Sequence, residues 1–156
     1  LDHGVRVVVA HCVSMGQDRD LDKGENGPYV DSFDLFARLM DDPTYGPKLH
    51  GDISAMTQLN RAGPALEVAL AREDWHPRLH NGSDYPLPGV MPLFSVTYMV
   101  QLGLIPETAV PVLSEIRKHN PLLFDFVLKR HLSFKGKRFA PSVFATRSFF
   151  ERKEKK

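Results

Sequence analysis

The chain has 156 residues, a formal net charge of +1, 42% hydrophobic residues and 25% charged residues, an ordinary composition for one globular domain. It excludes a disordered chain, a collagen-like fibre and, because there is a single cysteine, a disulfide-rich small protein. No apolar run approaches the roughly 18 residues of a spanning helix and no signal peptide is visible, so we expect a cytoplasmic protein without a membrane partner.

Charge is distributed unevenly along the chain. Residues 1–128 carry 10 Lys/Arg and 17 Asp/Glu, whereas residues 129–156 carry 10 Lys/Arg and two Glu. Such a basic segment can bind nucleic acid or an anionic surface, or it can be a solvated C-terminal extension. We adopt the solvated extension, and no nucleic-acid partner is expected.

The first half of the chain predicts a strand, a long connection and a helix. Residues 5–10 form a nearly continuous β-branched run, which is typical of a strand buried on both faces. The polar segment 14–29 is predicted as a connection. A helix begins at Asp31 or Ser32, with Asp31 as its cap, and ends before Pro43.

Two more strands follow, and the rest is helical. Residues 48–55 predict a second strand, and residues 78–84 predict a third, with a helix that starts at Pro64 between them. Further helices are predicted to open at Pro92, at Pro106 or Pro111, and at Asn120 with Pro121. The alternation of strands and helices predicts an α/β protein with a parallel sheet.

Polar residues follow each predicted strand. The first strand ends in His11, the second in Asp52 and Ser54, and the third in Ser83 and Asp84. In α/β folds, functional groups gather at the carboxyl ends of parallel strands. A histidine and an aspartate that meet there suit divalent-metal ligation or general acid–base catalysis.

The residues at these strand ends resemble a known family. The segments VVVAHC (7–12), GDIS (51–54) and NGSDYP (81–86) are similar to the C-terminal part of the amidohydrolase superfamily, in its branch of metal-dependent hydrolases and decarboxylases. The resemblance covers most of residues 5–130, and its most specific part is GSDYP. The 73 residues between His11 and Asp84 hold two βα units of roughly 35 residues each.

The resemblance implies a fold and a site. Residues 1–131 would form about strands 6 to 8 of a TIM-type (β/α)8 barrel, and residues 132–156 a basic, Phe-rich tail. Asp84 and His11 would be the catalytic residues. Asp84 would bind a divalent metal, most simply Zn²⁺, and His11 would be an acid–base residue beside that metal or, in members with two metals, a further metal ligand. The implied reaction is the hydrolysis of an amide, ester or lactone bond in a small-molecule substrate. Non-oxidative decarboxylation within the same family is the alternative.

One departure from the family pattern is important. The family has a His-x-His pair on its first strand and another histidine on its fifth, and this sequence has no His-x-His. The chain is also about 100 residues shorter than a closed eight-stranded barrel. We therefore expect a fragment that lacks most of its metal ligands and has no activity alone. Self-association, docking on another polypeptide, and a non-enzymatic module that binds an acidic partner through the basic tail stay open.

Three other residues are candidates for roles near this site, and a fourth, Cys12, is not. Arg61 lies in a loop where it would bind a substrate carboxylate, with a surface salt bridge as the alternative. His50 is assigned to substrate binding, although its side chain has an equal chance of facing away from the site. His80, deeper in its strand, is a weaker candidate. Cys12 is expected to be a buried structural thiol rather than a nucleophile.

Overall fold

The computed structural model describes residues 3–151. Within this range the strands and helices are, in chain order, β1 Val7–Val9, β2 Gln17–Arg19, β3 Tyr29–Asp31, α1 Ser32–Asp41, β4 Leu49–Asp52, α2 Pro64–Ala71, β5 Leu79–His80, α3 Val96–Gln101, α4 Val110–His119, α5 Pro121–His131, α6 Pro141–Phe144 and α7 Arg147–Phe150. None of the helices in residues 3–151 is long and apolar enough to cross a membrane.

A parallel sheet of three strands, in the order β1-β4-β5, confirms the predicted α/β class. Val7 is opposite Leu49, and Gly51 is opposite Leu79. The three strands are neighbours in the order in which they occur, and helices α1 and α2 lie between them in the chain. The carboxyl ends of all three strands therefore lie at one edge of the sheet.

The first strand differs from its prediction. It covers three residues rather than six, pairs only with β4, and is not buried on both faces, because Val5 is 59% exposed and Val7 37% exposed. A β-branched run indicates a strand but does not tell whether a neighbouring strand covers its second edge. The second and third strands are also shorter than predicted.

The segment expected to be a plain connection contains an antiparallel pair, β2 and β3. The residues of β2 are polar and exposed, so no alternation of apolar residues predicted it. Tertiary contacts stabilise the hairpin instead: Ser32 N donates to Gly16 O, and Arg38 of α1 pairs with Asp20 at 2.7 Å.

The starts of α1, α2 and α5 confirm their predictions, and that of α3 differs. Pro64 and Pro121 each occupy a first helical turn, and the Asn120 side chain accepts a hydrogen bond from Leu123 N. Helix α3 begins at Val96, capped by Ser95, and not at Pro92. Asp31 is at the cap position of α1, but its side chain makes no capping hydrogen bond.

The core lies on one face of the sheet. Phe33 and Phe36 of α1 pack with Trp75, whose ring is fully buried. Gly51 faces this cluster, because a Cβ there would lie 2.7 Å from Phe36 Cζ and 2.8 Å from Cys12 Sγ. Since side chains alternate along a strand, His50 and Asp52 lie on the opposite face of β4.

Residues 132–151 pack against this core. Val143 is fully buried and its carbonyl accepts a hydrogen bond from Asn81 N, so α6 lies beside the end of β5. Phe139 is also buried, whereas Phe150 is 62% exposed. The boundary proposed after residue 131 stays a prediction, and residues 152–156 of the tail lie outside the described residues.

Candidate functional site

Each strand of the parallel sheet is followed by a residue with left-handed backbone geometry. His11 after β1 has φ 56°, Ala55 after β4 has φ 53°, and Asp84 after β5 has φ 53°. None of them is glycine, so each conformation is unfavourable by about 1–3 kcal/mol and is retained only where surrounding contacts fix it. Residues of this kind cluster at functional sites, which directs attention to this edge of the sheet.

A hydrogen-bonded chain connects the ends of β1 and β4. The Ser54 hydroxyl donates to Asp52 Oδ1, and His11 Nδ1 lies 2.7 Å from Ser54 Oγ. Because the hydroxyl proton is directed at Asp52, Ser54 Oγ accepts from His11 Nδ1–H. This assignment leaves a lone pair on Nε2 of the neutral imidazole. Asp52 Oδ1 also accepts from the backbone N–H groups of His11 at 3.1 Å and Ser54 at 2.9 Å.

His11 and Asp84 face each other across the ends of β1 and β5. The distance between His11 Nε2 and Asp84 Oδ2 is 3.9 Å, which is longer than a hydrogen bond. The two side chains are 24% and 30% exposed, so solvent reaches both. Both atoms have lone pairs directed at the space between them, which suits a bridging water or a cation. The structure therefore brings together the two residues predicted to be catalytic.

Cys12 lies behind this edge and takes no part in it. Its side chain is fully buried, and its thiol donates to the carbonyl oxygen of Asp52 at 3.2 Å. Burial, followed by the nearby Asp52 carboxylate, strongly raises the pKa of the thiol. A thiol held in its neutral form is a structural residue and not a nucleophile, as the sequence predicted.

A buried ion pair supports the Asp84 segment from α5. Lys129 Nζ lies 2.7 Å from Asp125 Oδ2 and donates to Gly82 O at 2.7 Å, and both side chains are 1% exposed. Burial lowers the pKa of Lys129 and raises that of Asp125. Asp125, Asp52 and Asp84 all interact electrostatically with the Lys129 ammonium. Lys129 is thus the buried cation that the carboxylates of Asp125, Asp52 and Asp84 share.

His50 lies away from the His11–Asp84 pair. Its Nδ1 is 3.0 Å from His80 Nε2, and the tilted Phe149 ring contacts both imidazoles, with centroid distances of 4.5 Å to His50 and 4.0 Å to His80. Burial lowers the pKa of both histidines, and that of His80 falls to about 4. This packing is that of a neutral, covered pair, and the assignment of His50 to substrate binding stays a prediction.

Arg61 also lies away from that pair, in the connection between β4 and α2. It borders a cavity of about 300 Å³ together with Ser14 and the first turns of α1 and α2. It makes no salt bridge within the described chain, so the surface salt bridge weighed from the sequence is not formed by these residues. Its assignment to carboxylate binding stays a prediction.

The fit of a metal to these residues can be tested on geometry and number. Two ligand atoms of one tetrahedral zinc ion lie about 3.3–3.6 Å apart, so the 3.9 Å between His11 Nε2 and Asp84 Oδ2 would have to shorten by a few tenths of an ångström for both to bind one ion. A catalytic zinc site also takes three protein ligands. Among residues 3–151, no group of three His, Cys, Asp or Glu side chains is placed to hold a metal ion. These residues therefore do not form a metal site by themselves.

Several cations of the basic tail have partners within the chain. Lys137 pairs with Glu73, and Arg147 pairs with Glu151. Lys129 is buried, as described above. The described part of the tail therefore leaves fewer cations for an acidic partner than the count in the sequence suggests.

Sequence reasoning included Asp52 and Ser54 among the strand-end residues but assigned them no role, and it missed Lys129. The spacing of Asp125 and Lys129, one turn apart and each next to a buried apolar residue, is the signal that indicates a buried pair.

No family model matches the chain, and no match was found among curated proteins or solved structures.

Proposed function

We propose that the chain is the C-terminal part of a metal-dependent hydrolase of the amidohydrolase superfamily, which cleaves an amide, ester or lactone bond in a small molecule. The observation that carries the proposal is the placement of His11 Nε2 opposite Asp84 Oδ2 at the carboxyl ends of parallel strands. The family resemblance of the same residues, given above, supports it.

The sheet supports the barrel part of the proposal. Consecutive strands of a (β/α)8 barrel are parallel neighbours separated by helices, and their carboxyl ends form the active site. Strands β1, β4 and β5 have this order and direction. Under the proposal they correspond to strands 6, 7 and 8, Asp84 is a metal ligand, and the ligands needed beyond it come from residues outside this sequence.

The two aspartates at this edge differ in a way that suits one of them to proton transfer. Asp52 Oδ1 already accepts hydrogen bonds from His11 N and from the Ser54 amide and hydroxyl. Within residues 3–151 the Asp84 carboxylate accepts no hydrogen bond. Asp84 is therefore the group proposed to take a proton from the attacking water and to return it to the leaving group.

His11 has a defined partner role in this scheme. Its Nδ1–H is fixed by the chain through Ser54 to Asp52, which orients the ring and directs Nε2 towards Asp84. When protonated at Nε2, the imidazolium donates to the carbonyl oxygen of the substrate and stabilises the negative charge that develops there. Asp52 and Ser54 act as positioning residues.

Metal analysis tests the proposal. The protein should be isolated in its full encoded form, including any sequence that flanks these 156 residues. We expect one equivalent of zinc or more per chain and hydrolysis within a panel of amides, esters and lactones. Asp84→Asn should abolish the hydrolysis and reduce the metal content. Glu107→Gln, on the exposed turn before α4, is the matched control and should retain both.

Two outcomes would contradict the proposal. Absence of zinc and of every other divalent transition metal from the full encoded protein, with no activation when such metals are added, would exclude a metal-dependent mechanism. Unchanged activity in Asp84→Asn would remove the His11–Asp84 pair from the reaction. Release of carbon dioxide in place of a hydrolysis product would favour the decarboxylase alternative at the same residues.

A further inference from the structure

A cavity of about 300 Å³ lies between the first turns of α1 and α2. The loop after β1 and the loop after β4 complete its wall. Small-molecule sites in proteins begin at about this volume. Its polar lining includes Arg61, Ser14, Asp31 and Asp34.

Two polar groups on the cavity wall have no partner within the described chain. Arg61 Nε and Ser14 Oγ are both buried atoms without a hydrogen bond. Leaving a buried donor unsatisfied is unfavourable, so a ligand that accepts from both would be stabilised there. A guanidinium binds a carboxylate through two parallel hydrogen bonds, which makes a carboxylate the best-matched acceptor.

The two helix starts add to the preference for a negative group. The cap residues of α1 and α2 are Asp31 and Gly63, and neither provides a side-chain hydrogen bond to the first-turn amides. Ser32 N already donates to Gly16 O and Pro64 has no N–H, so the attraction for an anion comes from the remaining first-turn amides and from the helix dipoles. Both of these helix starts border the cavity that Arg61 lines.

The acidic residues on the wall restrict the class of ligand. Asp31 and Asp34 are exposed and form no ion pair within residues 3–151. A simple anion is repelled by these two charges, whereas a ligand that also carries an ammonium group pairs with them. Phe33 and Val68 give the cavity an apolar wall. We propose that this cavity is a binding site for an apolar α-amino acid, whose carboxylate is held by Arg61 and whose ammonium group faces Asp31 and Asp34.

This proposal does not depend on the proposed hydrolysis, because none of the residues that line the cavity is His11, Asp52, Ser54 or Asp84. The test is a binding titration of the purified chain, followed by NMR or calorimetry. The probe is L-leucine, with 4-methylpentanoate and 3-methylbutylamine as analogues that lack only the ammonium and only the carboxylate. We expect saturable binding of leucine, with each analogue weaker by about tenfold.

Variants assign the binding to these residues. Arg61→Met should weaken leucine binding by about tenfold or more, and Arg61→Lys by less, because lysine keeps the charge but loses the two-pronged contact. Asp34→Asn should reduce the preference for leucine over 4-methylpentanoate. Arg138→Met, an exposed cation of the tail, is the matched control and should bind as the unmodified chain does.

Thermal unfolding of each variant separates a loss of binding from a loss of fold, and Arg61→Lys keeps the test usable if Arg61→Met does not fold. Failure of leucine to saturate the chain up to its solubility limit would overturn the proposal. Equal binding of 4-methylpentanoate and leucine would overturn the role given to Asp31 and Asp34. Undiminished binding in Arg61→Met would overturn the role given to Arg61.

Discussion

The covered pair formed by His50 and His80 makes the stability of the chain depend on pH in a predictable direction. Burial lowers the pKa of His80 from 6.5 to about 4 in the folded chain. Between these two values the unfolded chain binds a proton that the folded chain does not. The stabilising effect is therefore complete above pH 6.5 and is lost as the pH falls from 6.5 towards 4.

The magnitude follows from the two pKa values of His80. A group that titrates at 6.5 when unfolded and at about 4 when folded removes about 2 kcal/mol from the free energy of unfolding between pH 7 and pH 5. The Phe149 ring, which lies 4.0 Å from the His80 ring, keeps solvent from it and so maintains the shift. A loss of this size is a substantial part of the 5–15 kcal/mol typical of a domain.

Urea unfolding at pH 7 and pH 5 measures this loss. His80→Asn removes the titrating group, so the difference in unfolding free energy between the two pH values should shrink by about 2 kcal/mol relative to the unmodified chain. His119→Gln, whose ring is exposed on α4, is the matched control and should keep the original difference. An NMR titration in which the His80 ring of the folded chain titrates near 6.5 would refute the reasoning.

Two further predictions concern packing. Lys129→Met should lower the free energy of unfolding by about 3–5 kcal/mol, because it leaves the Asp125 carboxylate buried without its cation, and combining it with Asp125→Leu should recover most of this loss in urea unfolding. A double variant no more stable than the single one would contradict that cause. Gly51→Ala should cost about 1–3 kcal/mol, since its Cβ would lie 2.7 Å from Phe36 Cζ. Gly46→Ala, where the nearest atom is 3.4 Å away, is the control and should cost less by thermal unfolding.

Part of the fold could be predicted from local sequence signals. Pro64 and the Asn120–Pro121 pair fix helix starts through properties of single residues, a missing N–H group or a capping oxygen, so their positions survive in the structure. The polar edge of the sheet could also be predicted, because polar residues directly follow the apolar runs that form the strands. His11 and Asp84 are near each other because parallel strands place their carboxyl ends together, which needs no knowledge of side-chain packing.

The remaining features depend on contacts between distant segments. The exposed polar strand β2 carries no apolar alternation, and the bond between Arg38 and Asp20 is visible only when α1 is packed against the hairpin. The contact of His50 with His80 depends on the register of β4 with β5 and on Phe149, which comes from the far end of the chain. No pattern within a single segment indicates that the Phe149 ring covers both imidazoles.

Within the described chain, the contacts around the strained residues at the sheet edge use an oxygen of Asp52 but neither oxygen of Asp84. Left-handed geometry at His11 and Asp84 costs about 1–3 kcal/mol each and persists only where contacts hold the backbone. Asp52 provides such a contact through the His11 amide, and Lys129 provides another through the Gly82 carbonyl, two residues before Asp84. Asp52 therefore uses a carboxylate oxygen to bind backbone N–H groups, whereas Asp84 is held in place without a hydrogen bond from the described residues to its carboxylate oxygens. Under the proposed function, these unused oxygens are the ones that exchange a proton with water or substrate, and Asp84→Asn tests that assignment.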